Sequence, residues 1–274
     1  MTLVVFDLDG TLLNAQSQVS PLTAATLLQM TEAGIDYTVA TGRSLQGALA
    51  PLRGQGFNLP YICKNGVVIW CPQAEHYKQT FLLTPQELWH VLSAFTICDI
   101  TPFVFTLTDT GEHALYHGPL RSSVERKLAG LFEGERHLPL LPLNSMPEDC
   151  HVINVSAMGE RSAIQSVIDR LAHESHLVSY TGHAVEDPGL CWLDIHHSGG
   201  SKGDAVEWLA HAQNYDSIVV FGDGENDLPM FAVATESYAP ANADDAVKAR
   251  AQGVIGHHDE DGVAKFLRER FDLR

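Results

Sequence analysis

The stretch LVVFDLDGTLL, residues 3–13, runs four apolar or aromatic residues into two aspartates separated by a single leucine, and then into Gly10 and Thr11. A continuous apolar run of this length reads as a strand buried on both faces, the kind that parallel sheets contain. Burial alone gives such a strand no reason to end in two like charges. Residues i and i+2 of an extended chain point the same way, so Asp7 and Asp9 are expected to face one ligand if the strand geometry persists that far. Two close carboxylates repel, and a hard divalent cation among them offsets the repulsion. Mg²⁺ prefers oxygen ligands and commonly shares its shell with phosphate oxygens. The stretch therefore predicts a metal and a phosphoryl group at the end of the first strand.

Working outward, the first third of the chain alternates strand and helix signals. SPLTAATLLQMTEAG (20–34) has Ser20 as N-cap, Pro21 at the first helical position and Gly34 as a stop. IDYTVA (35–40) reads as a strand, SLQGALAPLRG (44–54) as a helix and YIC (61–63) as a strand, an order that implies right-handed crossovers and a parallel sheet. From about Thr84 to about Asp187 the pattern changes. A helix (PQELWHVLSAF, 85–95), a pair of strands turning at Asp109–Gly111, a strand (HVINVSAM, 151–158) and a helix (RSAIQSVIDRLAHE, 161–174) suggest an antiparallel α+β module. The first pattern then resumes with CWLDI (191–195), helix SKGDAVEWLAHAQ (201–213), strand SIVVFGD (217–223), helix ENDLPMFAV (225–233), strand SYAPA (237–241), helix DDAVKARA (244–251) and a last helix near the end. The expected organisation is a doubly wound α/β core of residues 1–82 and 188–274, with an α+β domain of residues 83–187 inserted.

Composition narrows the function. The chain has 274 residues, 45% of them hydrophobic, which supplies a core and excludes a disordered chain. Seventeen basic against 34 acidic residues give a net charge of −17, which argues against nucleic acid and anionic membrane surfaces as partners. No apolar run approaches the roughly 20 residues that span a bilayer, and MTLVVFDLDG lacks the basic start of a signal peptide, so a cytoplasmic location is expected. The five cysteines contain no C-x-x-C pair and read as small core hydrophobes rather than a disulfide framework or zinc site. Asn154 to Ser156 matches a glycosylation sequon but lies in a strand-like run and reads as chance. FGDGEND lacks the third glycine of a dinucleotide fingerprint, and no phosphate-binding Walker sequence occurs.

In an open parallel sheet, ligands bind outside the carboxyl ends of the strands. Asp7, Asp9, Thr41 and Asp223 lie at such ends, with Asp227 just behind and Lys202 opening the helix after CWLDI. Phosphoryl transfer needs an in-line nucleophile, and cations or donors on the equatorial oxygens. Asp7 can be that nucleophile and form an aspartyl phosphate; Asp9 can protonate the leaving oxygen and then activate water. Thr41 and Lys202 can hold the transferring group, and Asp223 with Asp227 can complete the metal site.

DLDGT, VATGRS, GGSKG and FGDGEND occur in the order of the four signature motifs of haloacid dehalogenase-like phosphatases, and the chain resembles their Cof-type branch, with a large cap inserted between the second and third motifs. The resemblance covers most of residues 1–82 and 188–274. It implies a phosphoric monoester hydrolase using Mg²⁺, with Asp7 as nucleophile, Asp9 as acid/base and main-chain metal ligand, Thr41 and Lys202 as phosphate binders, and Asp223 as metal ligand supported by Asp227. It also brings Asn65 and Gly66 of CKNGVVI toward the substrate, together with Gly42, Arg43, Asn226 and Asn242. Ala241 stands where relatives usually carry glycine, and HHSGG before Lys202 is unusual. The implied substrate is a small phosphorylated metabolite, a sugar phosphate first and a phosphorylated vitamin such as pyridoxal phosphate next. A phosphomutase of the same superfamily and a receiver-like phospho-aspartate module are the rival readings; monomer or homodimer is not decided.

Other features read as structural. Asn65 and Gly66 fit a hairpin turn between YIC and VVIW equally well. His196 with His197 and His257 with His258 are expected at the surface or behind the site, without a metal. Trp89, Phe95, Phe103 and Phe105 fall at helix or strand spacing and are expected in the core of the inserted domain.

Overall fold

The computed structural model describes residues 1–108, 112–134, 139–184 and 189–273. Its contacts divide the chain into two compact units, Met1–Gln79 with Gly200–Arg274, and Thr80–Gly199.

The first unit is built on a five-stranded parallel sheet. Its order from one edge is Gly253–Ile255, Glu236–Pro240, Ser217–Phe221, Thr2–Phe6 and Asp36–Val39. The first strand lies between two others, which is why Leu3 to Phe6 are buried without interruption. Alternate residues serve opposite layers. Leu3, Val5, Ile218 and Val220 pack with Val206, Leu209, Met230 and Phe231 of the helices Lys202–Gln213 and Leu228–Val233. On the other face Phe6, Phe221 and Tyr238 stand in register and stack, with ring centroids 5.5 and 5.6 Å apart, and Phe266 of the helix Gly262–Arg270 closes on Phe221. That register sets Phe6 and Phe221 side by side, so the chain leaves both strands at one point on the rim.

Helix starts follow the capping chemistry legible in the sequence. Ser20 accepts the Thr23 N–H at 3.0 Å ahead of Pro21–Glu32, and Ser44 and Ser201 do the same for Leu45–Leu52 and Lys202–Gln213. Tyr61–Cys63 and Val68–Cys71 pair antiparallel, joined by a turn at Lys64–Gly66. The hairpin expected at Asn65 and Gly66 is therefore present.

The second unit holds a six-stranded sheet in the order Leu177–His183, Leu190–His197, His151–Glu160, Phe103–Leu107, His113–His117 and Leu140–Pro142. Among the described residues its pairings are antiparallel except the last, which is parallel. Val104, Val155, Leu193 and Ile195 face Val91, Phe95, Ile164 and Val167 of the helices Pro85–Ile97 and Arg161–Leu171. Phe103 and Phe105 lie on the opposite face, where both meet Phe132.

Three expectations need correction. The expected boundary at 187/188 falls on residues outside the described set, and CWLDI does not resume the core. Leu190–His197 is hydrogen-bonded on both sides, to Leu177–His183 and to His151–Glu160, and belongs to the second unit, so the boundary lies at Gly199/Gly200. An apolar strand has the same composition whichever sheet takes it. Trp89 is 65% exposed rather than core, because the buried stripe of its helix runs through Glu87, Val91, Ala94 and Phe95. At 100° per residue it stands about 200° round from Glu87. His196 is buried, in the strand position opposite Asn154 and beside the Tyr180 ring, so of its two expected places the surface is ruled out. The expected turn at Asp109–Gly111 lies outside the described residues. Asn154 is buried and donates to Ser156 and Asp194, which agrees with reading its sequon as chance. Among the described residues no helix is long and apolar enough to cross a membrane.

Replacing Phe95, fully buried between helix and sheet in the second unit, by alanine should lower unfolding stability by about 3–5 kcal/mol. A urea titration followed by circular dichroism measures this; a midpoint unchanged from wild type would show that the face is not packed as described.

Candidate active site

The rim of the parallel sheet gathers the charges. The Asp7 N–H donates to the Phe221 carbonyl at 2.9 Å, which extends the pairing one residue past the first strand and turns the Asp7 side chain into a buried pocket. The chain then bends sharply. Leu8 is buried, and Gly10 adopts a left-handed φ of +74°. A β-carbon on Gly10 would also fall 2.3 Å from Asp223 Oδ2, so both backbone conformation and space require glycine. The turn, which begins at Leu8, separates the two motif aspartates. The same-face geometry expected of Asp7 and Asp9 does not persist: Asp9 is more than half exposed, and its carboxylate forms a fork with Arg43, Nε to Oδ2 at 2.7 Å and Nη2 to Oδ1.

At the centre is Lys202, with no exposed side-chain surface. Its Nζ donates to Asp7 Oδ1 and to Asp227 Oδ1, each at 2.6 Å. Asp227 Oδ2 accepts the N–H groups of Asp223 and Gly224, both at 2.9 Å. Both Asp227 oxygens are thus engaged, which suits a supporting role better than direct ligation. Asp223 Oδ1 accepts the Thr11 hydroxyl at 2.8 Å. Thr11 is a contributor that reading the sequence passed over, although it is the last letter of DLDGT.

Asp7, Asp223 and Asp227 each offer an oxygen within 4.8 Å of the others. Three carboxylates against one ammonium leave two negative charges uncompensated, and the donors are all oxygen. Such a set fits a hard divalent cation. The electrostatics agree. Burial pushes the Asp7 carboxyl well above the usual range, Lys202 pulls it back, and Asp227 and Asp223 push it further. Asp223 is raised to about 6, by burial first and then by Asp227. Burial disfavours the Lys202 ammonium, but Asp227 and Asp7 more than offset this and hold it protonated.

A second set of neutral groups adjoins. The Ala40 N–H donates to the Phe6 carbonyl at 2.8 Å, which brings Thr41 beside Asp7 in the rim. Thr41 is buried, and its Oγ1 accepts the Arg43 N–H at 3.1 Å. The Asn65 N–H donates to the Thr41 carbonyl at 3.0 Å, and Asn226 Nδ2 donates to Asn65 Oδ1 at 2.9 Å. Gly42 passes so close that a β-carbon there would stand 3.2 Å from Asn65 Oδ1. Gly66, with φ +96°, lies against the start of the Lys202 helix; a β-carbon would meet the Ser201 carbonyl at 2.1 Å. Thr41, Asn65 and Asn226 are therefore joined by hydrogen bonds, with Gly42 packed against Asn65 and Gly66 against Ser201.

Asn242 also braces the backbone. Its Nδ2 donates to the Gly10 carbonyl at 2.8 Å and its Oδ1 accepts the His258 N–H at 3.1 Å, so it fastens the Asp7–Leu12 bend. His258 Nδ1 meets the Leu13 carbonyl at 2.8 Å. His257, His258 and Asp259 approach one another closely enough to suggest a metal, yet His257 Nδ1 accepts the Asp259 N–H and Asp259 Oδ1 accepts the Ala15 N–H. These bonds give the group a structural role.

The raised Asp223 carboxyl has a testable consequence. Its folded form binds a proton more tightly than its unfolded form, so without divalent metal it subtracts stability as pH rises from about 4 to about 6. Measured against Asp223→Asn in chelator, wild type should lose thermal midpoint relative to the variant across that window, and Mg²⁺ at pH 7 should restore it in wild type only. A constant difference between the two proteins from pH 4 to 7 would refute this.

A family model described as haloacid dehalogenase-like hydrolase matches residues 4–267. Among curated proteins, pyridoxal phosphate phosphatase YbhA of Escherichia coli is 26% identical, the match covering 96% of each chain. The 5-amino-6-(5-phospho-D-ribitylamino)uracil phosphatase YitU of Bacillus subtilis is 25% identical over 99% of this chain and 98% of its own. Among solved structures, a haloacid dehalogenase-like hydrolase from B. subtilis superposes with a TM-score of 0.80 at 23% identity, covering 98% and 99% of the two chains.

Proposed function

The chain belongs to the haloacid dehalogenase-like hydrolases, and we propose that it is a Mg²⁺-dependent phosphatase of small phosphorylated metabolites that works through phosphorylated Asp7. The observation that carries this reading is the buried Lys202 ammonium, 2.6 Å from both Asp7 and Asp227. Burial by itself favours the neutral, poorly nucleophilic carboxyl at Asp7; the ammonium opposes that and keeps the carboxylate form in reach. Because Oδ1 is engaged by Lys202, Oδ2 is the attacking atom.

In the first half-reaction the Asp7 oxygen bonds to phosphorus as the bond from phosphorus to the leaving oxygen breaks. Asp9 supplies the proton that the leaving oxygen takes up. In the second, water gives a proton to the Asp9 carboxylate and attacks the same phosphorus, releasing inorganic phosphate and the Asp7 carboxylate. The Thr41 oxygen accepts from the Arg43 N–H, which leaves its own O–H to donate to a phosphate oxygen. Asn226 occupies Asn65 Oδ1, which leaves Asn65 Nδ2 to donate toward the substrate. Asp7, Asp223 and the Asp9 main-chain carbonyl would hold Mg²⁺, which when bound offsets the excess negative charge and that of the phosphoryl oxygens. Two relatives are named for pyridoxal phosphate and a phosphoribityl pyrimidine. They support a small phosphomonoester as substrate here, with sugar phosphates and phosphorylated vitamins the classes to try first.

The test is release of inorganic phosphate from a panel of such esters, with Mg²⁺ and with chelator. Mg²⁺-dependent turnover is expected, with Asp7→Asn slower by on the order of 10³-fold or more. Turnover that survives in Asp7→Asn or in chelator would exclude the mechanism, and an isomerised ester in place of free phosphate would indicate a mutase.

A further inference from the structure

Arg43 approaches the reaction from an unexpected side. Its Nε and Nη2 meet the two oxygens of Asp9, while its Nη1 donates to the Gly47 carbonyl at 3.0 Å. Its backbone is held as tightly: the N–H donates to Thr41 Oγ1 at 3.1 Å, and the carbonyl accepts the Lys64 N–H at 2.9 Å. The Arg43 side chain is largely buried, whereas Asp9 is more than half exposed. An ion pair with one partner so exposed adds little stability. A planar guanidinium forked onto a carboxylate does fix the direction of that carboxylate.

We infer that Arg43 is a positioning residue for the acid–base steps: its fork, anchored on Thr41, Gly47 and Lys64, sets the plane in which Asp9 passes protons. The inference rests on the phosphatase reading above. During transfer to Asp7 the phosphorus–oxygen bond of the ester breaks, and the leaving oxygen takes the Asp9 proton and departs as a neutral alcohol. Asp9 is then the carboxylate that Arg43 pairs. An alkyl leaving group needs this proton; a nitrophenolate does not. A guanidinium that instead bound the phosphoryl group would serve both esters alike.

The experiment compares wild type, Arg43→Met, Arg43→Lys and Asp9→Asn on the best alkyl phosphate of the panel and on p-nitrophenyl phosphate, with Mg²⁺ at fixed pH. For Arg43→Met the alkyl ester should lose about 10–100-fold in kcat/KM, which reports the steps up to departure of the leaving group, at least tenfold more than the aryl ester loses. Arg43→Lys should show the same imbalance to a smaller degree, and it keeps the test open if the methionine variant does not fold. Asp9→Asn should show the imbalance more strongly, and adding Arg43→Met to it should cause little further loss. Equal losses of kcat/KM on both esters would overturn the inference and return Arg43 to phosphate binding. If wild type releases phosphate from neither ester, the phosphatase reading falls and this inference with it.

Discussion

A lysine ammonium with no exposed surface lies between two aspartates, and the site is organised around that contact. A buried charge is tolerable only when its partners are close and well directed, and removing one partner leaves the other strongly disfavoured. Several local features serve this requirement. Ser201 caps the helix that Lys202 opens, and the Gly66 turn lets the chain pass against the Ser201 carbonyl without a side chain in the way. Asp227 is directed at Lys202 because its other oxygen is held by two successive main-chain N–H groups.

The same contact makes the cluster electrically incomplete. One ammonium cannot balance Asp7, Asp223 and Asp227, and burial raises the two carboxyls that are not saturated by hydrogen bonds. A protein that keeps such an arrangement is less stable alone than it could be, and functional sites are where that imbalance is expected. The deficit is oxygen-lined and about two charges deep, which connects the fold's rim to a divalent cation by electrostatics before any likeness to other proteins is considered.

The chemistry and the choice of substrate lie on different links of the chain from sequence to function. In the proposed mechanism, rim residues of one unit supply attack, proton transfer and phosphate contacts, and each lies in a short motif. Relatives alike over nearly their whole length carry names for different phosphate esters. A fold can host many substrates, so discrimination among them depends on the particular side chains a chain presents. The second unit of this chain has a separate sheet and its own helices, and packs its own core of Val104, Val155, Leu193 and Ile195.

Sequence alone determined the parallel strands Thr2–Phe6, Asp36–Val39, Ser217–Phe221 and Glu236–Pro240, the helix starts at Ser20, Ser44 and Ser201, and the cluster of Asp7, Lys202, Asp223 and Asp227, because buried runs, caps and short motifs encode local geometry directly. Tertiary structure decided the rest. It assigned Cys191–Ile195 to the second sheet, since an apolar strand pairs with whichever neighbour presents complementary backbone and side chains. It turned Asp9 away from Asp7 and onto Arg43, since the chain bends off the extended path at Leu8 and ends the two-residue alternation that a linear reading must assume. It also gave Asn242 and His258 to the support of that bend, because their partners, Gly10 and Leu13, lie more than two hundred residues away in the chain and only folding brings them together.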